Sequence, residues 1–273
     1  NFTTATDSHN TAVGFFAGLL VTTGIKNTLI GSSSGDALTD ADFNTAVGFG
    51  SLTSDTLGSR STAVGHFALA DQNFTTATDT HNTAIGAVAG AVITTGIKNT
   101  LIGSEAGDAL TDADFNVAVG NFALSADTLG SRSVAIGRAA LTSQNFTTAT
   151  DTYNVAVGYD AGVSVTTGTH NNFFGGLAGD ALTDGAANVA IGFASLSSDT
   201  RGHSSVAIGH GTLGAQNFTT TVDAFNTAVG KLAGTAVTTG VNNTLIGALA
   251  GDALTDADAN VALGAFALGA DTL

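Results

Sequence analysis

The chain has 273 residues, a formal net charge of −15, and no Cys, Met, Trp or Pro. Without Cys it can form neither a disulfide framework nor a thiolate metal site. Its seven Lys and Arg residues argue against a nucleic-acid or anionic-membrane partner, and no apolar run approaches the roughly 20 residues that a membrane-spanning helix needs.

One short phrase recurs fifteen times: Asn or Ser, Thr or Val, Ala or Leu, Val or Ile, then Gly. Its glycines step by 17, 17, 17 and 21 residues from Gly14, and the set restarts at Gly86. Such a hierarchy predicts an all-β parallel β-solenoid, or β-roll, with one rung per phrase. We expect one continuous segment of a longer fibre, with super-repeats at 1–72, 73–144, 145–216 and, incomplete, 217–273.

The phrase itself predicts a short strand that is apolar on both faces. The residue before each Gly is Val, Ile or Leu, with Phe174 as the exception, and the residue two positions earlier is Thr or Val, apart from Asn172. Between them lies Ala or Leu, or Phe173 in one copy. Alternation puts the central residue on its own face. We expect this small-residue face to pack closely against another element or another chain.

Two polar columns are expected to stack along the axis and to be structural. Amides one rung apart, about 4.8 Å, can form hydrogen bonds along a stack. The amide column comprises Asn10, Asn27, Asn44, Asn82, Asn99, Asn116, Asn154 and Asn188. A second column lies eight residues after the Gly of each 17-residue rung and includes Thr22, Thr39 and Thr56.

Every fourth rung is four residues longer, and the extra length falls around a recurring Asn-Phe-Thr-Thr sequence. Its aromatic residues are Phe74, Phe146 and Phe218. Three placements remain open for these rings: packing back on the solenoid, contact with a neighbouring chain, or exposure to a ligand.

Carboxylates recur in one turn, and Asp36, Asp40 and Asp42 are the candidates for a calcium site. Calcium prefers six to eight oxygen ligands from such acidic turns. However, the third super-repeat carries Ala186 in place of one carboxylate, which favours a solvated acidic edge. No arrangement of Ser, His and Asp recurs, so we expect no enzymatic activity, no catalytic residue and no cofactor.

The phrase resembles the head repeat of trimeric autotransporter adhesins at residues 133–137, 188–192 and 205–209, each Ser or Asn followed by Val-Ala-Ile-Gly. The resemblance implies a left-handed parallel β-roll, three chains side by side on a bacterial surface, and small strand faces meeting near the three-fold axis. The rungs are longer than is usual in that family and also resemble those of phage tail-fibre shafts.

These observations predict a non-catalytic, structural and adhesive segment of an extracellular bacterial surface fibre. The expected partners are two further copies of the chain and a host-surface or matrix ligand, without membrane insertion by this segment. The alternatives are a phage tail-fibre shaft, an ice-binding solenoid that uses the Thr column, and a calcium-stabilised solenoid.

Overall fold

A computed structural model describes residues 5–271, which contain short strands and no helix. Among these residues there is no helix long and apolar enough to cross a membrane. The strands are β1 (Thr11–Val13), β2 (Thr28–Ile30), β3 (Thr45–Val47), β4 (Gly58–Ser59), β5 (Thr62–Val64), β6 (Thr78–Asp79), β7 (Thr83–Ile85), β8 (Thr100–Ile102), β9 (Val117–Val119), β10 (Gly130–Ser131), β11 (Val134–Ile136), β12 (Thr150–Asp151), β13 (Val155–Val157), β14 (Asn172–Phe174), β15 (Val189–Ile191), β16 (Gly202–His203), β17 (Val206–Ile208), β18 (Val222–Asp223), β19 (Thr227–Val229), β20 (Thr244–Ile246) and β21 (Val261–Leu263).

The described residues form two compact units, one of residues 5–133 and 145–151, the other of residues 134–144 and 152–271. Seven three-residue strands of the first unit pair in parallel, each with the strand of the next turn, so that Thr28 lies opposite Thr45. Eight strands of the second unit pair in the same way, with Val189 opposite Val206. The chain is therefore an all-β parallel β-solenoid of about fifteen turns, as the repeated phrase predicts.

In the three-residue strands after β1, the central residue faces the interior of its own chain. Leu29, Ala46 and Ala63 in the first unit and Ala190 and Ala207 in the second are at most 1 % exposed. Of the two placements expected for this small-residue face, packing against other elements of the same chain is the one observed, and packing against another chain is wrong. A narrow turn leaves little internal volume, and Ala suits it because its side chain is small.

Large and small interior residues complement one another between turns. A Cβ atom on either Gly18 or Gly35 would lie 2.8 Å from a methyl carbon of Leu29, so these glycines make room for the leucine. One turn later the strand centre is Ala46, and the position equivalent to Gly35 is the fully buried Leu52. The interior is thus filled by the strand centre in one turn and by the position equivalent to Gly35 in the next.

The glycine that ends each phrase lies where stacked turns approach most closely. Gly31 has φ 137°, and a Cβ atom there would overlap the carbonyl of Gly48 in the next turn. The positive φ and the close approach each require glycine.

The extension of every fourth turn is followed by a two-residue strand, which pairs with a two-residue strand of the preceding turn. In the first repeat β4 pairs in parallel with β6, with Gly58 opposite Thr78. Equivalent pairs join β10 to β12 and β16 to β18. The extension therefore continues the stack.

Candidate functional site

Between the extensions, the Asn column is a hydrogen-bonded ladder that runs from turn to turn. The amide of Asn27 donates from Nδ2 to the carbonyl of Ala41 at 2.7 Å, and its Oδ1 accepts the main-chain N–H of Asn44 at 2.9 Å. Asn44 repeats the pattern, donating to the carbonyl of Gly58 and accepting the N–H of Ser61. The axial bond thus joins an amide oxygen to the main chain of the next turn. The same geometry, with buried side chains, recurs at Asn82, Asn99, Asn116, Asn154 and Asn188; Asn10, in the first described turn, is half-buried.

At the fourth turn Ser replaces Asn, and a buried glutamine takes over the missing contacts. Gln72 donates from Nε2 to Ser61 Oγ at 2.9 Å, and its Oε1 accepts from Asn82 Nδ2 at 2.8 Å. Ser61 Oγ also lies 2.5 Å from Thr80 Oγ1. Gln72 therefore connects the amide columns on either side of the extension.

Gln72 also donates to a fully buried carboxylate that sequence reasoning missed. Asp55 Oδ2 accepts Gln72 Nε2 at 2.6 Å, and its Oδ1 accepts the main-chain N–H groups of Gly58 at 3.0 Å and Phe74 at 3.1 Å. All three donors are neutral. Burial raises the pKa of the Asp55 carboxyl above its ordinary value, and these hydrogen bonds oppose the shift. Equally buried carboxylates recur at Asp127 and Asp199.

The sequence does carry a signal for this cluster. Seven residues after the phrase glycine, the first super-repeat has Val21, Leu38, Asp55 and Gln72 in successive rungs. Val21 and Leu38 indicate that this position faces the interior. When Asp and Gln occupy the same position in the next two rungs, they indicate a buried polar contact between them.

The Thr column bonds to the main chain along the axis. Thr22 Oγ1 donates to the carbonyl of Thr39 at 3.1 Å, and Thr39 Oγ1 donates to the carbonyl of Thr56 at 3.0 Å. At the extension Thr56 Oγ1 donates to the carbonyl of Phe74 at 2.9 Å. These hydroxyl groups are therefore engaged in holding turns together.

The three extension phenylalanines lie inside their own chain. Phe74, Phe146 and Phe218 are 6 %, 7 % and 5 % exposed. Of the three placements left open by the sequence, packing back on the solenoid is the one observed. Contact with a second chain or a ligand through these rings is wrong, because almost none of their surface is accessible.

The three calcium candidates bond to separate donors. Asp36 Oδ1 accepts from Thr53 Oγ1 at 2.6 Å, Asp40 Oδ1 from Thr23 Oγ1 at 2.5 Å, and Asp42 Oδ1 from the N–H of Ile25 at 2.7 Å. Within residues 5–271 no three acidic, His or Cys side chains are grouped as metal ligands would be.

The outer face of the three-residue strands is uncharged and accessible: its third position is apolar, and its first position is Thr or Val, apart from Asn172. The third strand residue is about two-fifths exposed at Ile85 and Ile136 (39 % and 38 %), and the first is half-buried at Thr83 and Val134. Neither outward position carries a charge in any of these strands. The described residues enclose no pocket.

No protein-family model, curated protein or solved structure matches this chain. The resemblance to adhesin head repeats therefore rests on the repeated phrase alone.

Proposed function

We propose that the chain is a structural and adhesive segment of an extracellular bacterial surface fibre, built from three copies packed side by side. The observation that carries this proposal is the uncharged outer face of the strands. In the first unit seven strands at about 4.8 Å spacing make this strip about 34 Å long. The third strand position forms an apolar row along this strip. Exposed apolar rows of this kind mark interaction sites, and two further copies of the chain would cover it.

The hydrogen bonds support a mechanical role. Asn, Thr and Asp side chains donate to or accept from the next turn, as in the bond from Asn44 N–H to Asn27 Oδ1. A stack of turns held by its neighbours can be extended to any length, and it offers each surface feature many times. Repetition converts weak contacts into avidity when several engage together.

A phage tail-fibre shaft would use the same stack of turns and the same outer face. Ice binding through the Thr column has less support, because the hydroxyl groups of Thr22 and Thr39 donate to main-chain carbonyls. Calcium stabilisation also has less support, since the acidic side chains are separately bonded.

The mass of the chain in solution, measured by light scattering with and without a chelator, tests the trimer. We expect three chains in both conditions. The Ile85→Glu/Ile102→Glu variant places charge on the strand face and should give one chain. The matched control is Leu20→Glu/Val92→Glu, which alters apolar residues outside the strands; Val92 is 37 % and Ile102 36 % exposed.

Each outcome of the mass measurement bears on a separate part of the proposal. A parent chain that is monomeric would refute the trimer. A trimer that survives the strand-face substitutions as well as the control would refute this face as the interface. A mass that falls only in chelator would favour the calcium-stabilised alternative.

Location separates the bacterial fibre from the phage shaft. Protease added to intact cells should remove the chain from the cell surface. Recovery of the chain in purified virions, with none on cells, would refute the bacterial fibre and favour the tail-fibre shaft.

A further inference from the structure

Cations and aromatic rings alternate along one edge of the first unit, at the position two residues before each three-residue strand. All of these side chains are exposed. We name this column the cation–aromatic stripe; it comprises His9, Lys26, Phe43, Arg60, His81, Lys98, Phe115 and Arg132. It holds four of the seven Lys and Arg of a chain whose net charge is −15. The seven equivalent positions of the second unit hold none.

The main chain sets the spacing of the stripe. The N–H of Phe43 donates to the carbonyl of Ile25, and that of Arg60 donates to the carbonyl of Asp42, each one turn away. Neighbouring stripe residues are therefore one turn apart, about 4.8 Å, and successive Lys and Arg residues are about 10 Å apart. Four such cations span roughly 29 Å.

Each phenylalanine of the stripe lies between two cations. Lys26 Nζ is 4.9 Å and Arg60 Cζ is 4.8 Å from the centre of the Phe43 ring. Lys98 and Arg132 hold the same distances from Phe115. Cation–π attraction favours this arrangement, and Phe43 nevertheless remains 40 % exposed.

The carboxylates beside the stripe are already engaged. Arg60 Nε pairs with Asp79 Oδ1 at 3.0 Å, which leaves its two terminal guanidinium nitrogens without a salt bridge among residues 5–271. Asp42 accepts the N–H of Ile25. Lys26 forms no salt bridge within residues 5–271. Cation donors and an aromatic edge are thus exposed side by side, next to carboxylates that each already hold one partner.

We propose that the cation–aromatic stripe binds an acidic polysaccharide that carries a carboxylate on every second sugar. One sugar ring advances about as far as one turn of the solenoid. Alternate rings would then place carboxylates at Lys26 and Arg60, while the intervening ring lies against the exposed edge of Phe43, since those two cations lie over its ring. The sugar hydroxyl groups would donate to Asp79. The inference supplies a ligand class for the adhesive role proposed above and rests on that role.

Other polyanions fit the spacing less well. Duplex DNA carries one charge per roughly 1.7 Å of its axis, so most phosphates would face no cation. An acidic peptide in an extended strand presents side chains on one face about 6.6 Å apart. This spacing does not match the distance of about 10 Å between successive cations of the stripe. A polyproline II peptide advances about 9 Å per turn, but a proline-rich chain has few N–H donors for the carboxylates of the stripe.

The proposal is tested with a fluorescently labelled oligosaccharide in which glucuronate alternates with an uncharged, N-acetylated amino sugar. Its binding to the full chain is measured by fluorescence anisotropy. The variant Arg60→Gln/Lys98→Gln/Arg132→Gln should bind about tenfold more weakly or worse, since each surface ion pair contributes up to about 1 kcal/mol and 1.4 kcal/mol is tenfold. The control Arg138→Gln/Arg201→Gln/Lys231→Gln removes the same charges outside the stripe and should bind like the parent.

Three further probes complete the test. The Phe43→Leu/Phe115→Leu variant should lose affinity for the sugar, while the same oligosaccharide with its carboxyl groups reduced should not bind the parent. Unchanged binding by the stripe variant, or equal loss in the control, overturns the proposal. So does tighter binding of a DNA strand, or of a proline-rich peptide with Glu at every third residue.

The outcomes also separate this inference from the fibre proposal. A trimeric chain that does not bind the sugar refutes the stripe as a ligand site and leaves the trimer standing. A monomeric chain whose binding depends on the stripe refutes the trimer and leaves the ligand site standing.

Discussion

Exchanging an interior leucine for alanine and a neighbouring glycine for leucine tests whether large and small residues complement each other between turns. Leu101 is fully buried at the centre of β8, and a Cβ atom on Gly107 would lie 2.8 Å from its Cδ2. In the next turn the arrangement is reversed: Ala118 is the strand centre and Leu124, with φ 55°, takes the position equivalent to Gly107. The double variant Leu101→Ala/Gly107→Leu therefore imitates a neighbouring turn.

The structure gives the magnitude and sign of each step. Leu101→Ala alone leaves a cavity and should cost about 2–5 kcal/mol of stability. Gly107→Leu alone overpacks the interior and should cost about 1–3 kcal/mol. Together they should cost at least about 1 kcal/mol less than the sum. Rescue will be incomplete, because Leu110 Cδ1 also lies 2.8 Å from the Gly107 Cβ position.

Urea unfolding followed by circular dichroism measures these costs, with equal m values required for comparison. The matched control pairs Leu101→Ala with Gly35→Leu. Gly35 has the same 2.8 Å approach to Leu29 but lies several turns from Leu101. We expect additive costs in the control. Additive costs in the test pair as well would refute the idea that leucine and glycine complement each other across the turns.

The polar columns lead to three further predictions. Asn99→Ala should cost several kcal/mol in urea unfolding, because two buried main-chain groups lose partners worth about 1–3 kcal/mol each. The raised pKa of Asp55 means that the folded chain keeps its proton at pH values where the unfolded chain has lost it. Stability should therefore rise as pH falls through the folded pKa and level off below the unfolded one, with a weaker trend in Asp55→Asn. Changing Asp36, Asp40 and Asp42 to Asn should leave the melting temperature equally insensitive to Ca²⁺; calcium-dependent stabilisation of the parent alone would contradict this.

The strands and the number of turns follow from the sequence because both depend on local periodicity. The phrase around Ala46 alternates with period two and ends at Gly48, and each copy pairs with the next. The direction of the two faces could not be derived in the same way. Alternation shows that Ala46 differs from Thr45 and Val47, but only the internal volume of the closed turn determines that Ala lies inside.

The polar sites were predictable in their columns but not in their partners. Stacking at a fixed rise implies that Asn27 lies next to Asn44, yet the amide oxygen bonds to main chain. Asp40 and Asp42 are close in sequence, and the turn nevertheless directs them to Thr23 and to the N–H of Ile25. Such choices depend on local backbone geometry; Phe43, the next residue, has φ 59°.

The four-turn period has a physical cause in the buried Asp and Gln. Asp55 lies in the third turn and accepts the N–H of Phe74 in the extension, while Gln72 bonds to Asp55 and to Asn82 of the following set. Gly58 is required in the same place, because a Cβ atom there would overlap the Asp55 carboxylate. One carboxylate thus holds the end of the third turn, the glutamine and the extension together. A buried carboxylate needs all of its partners at once. An isolated change at any of these positions would leave the others unsatisfied, and this interdependence explains why the extension, the Asp and the Gln recur together with the period of the super-repeat.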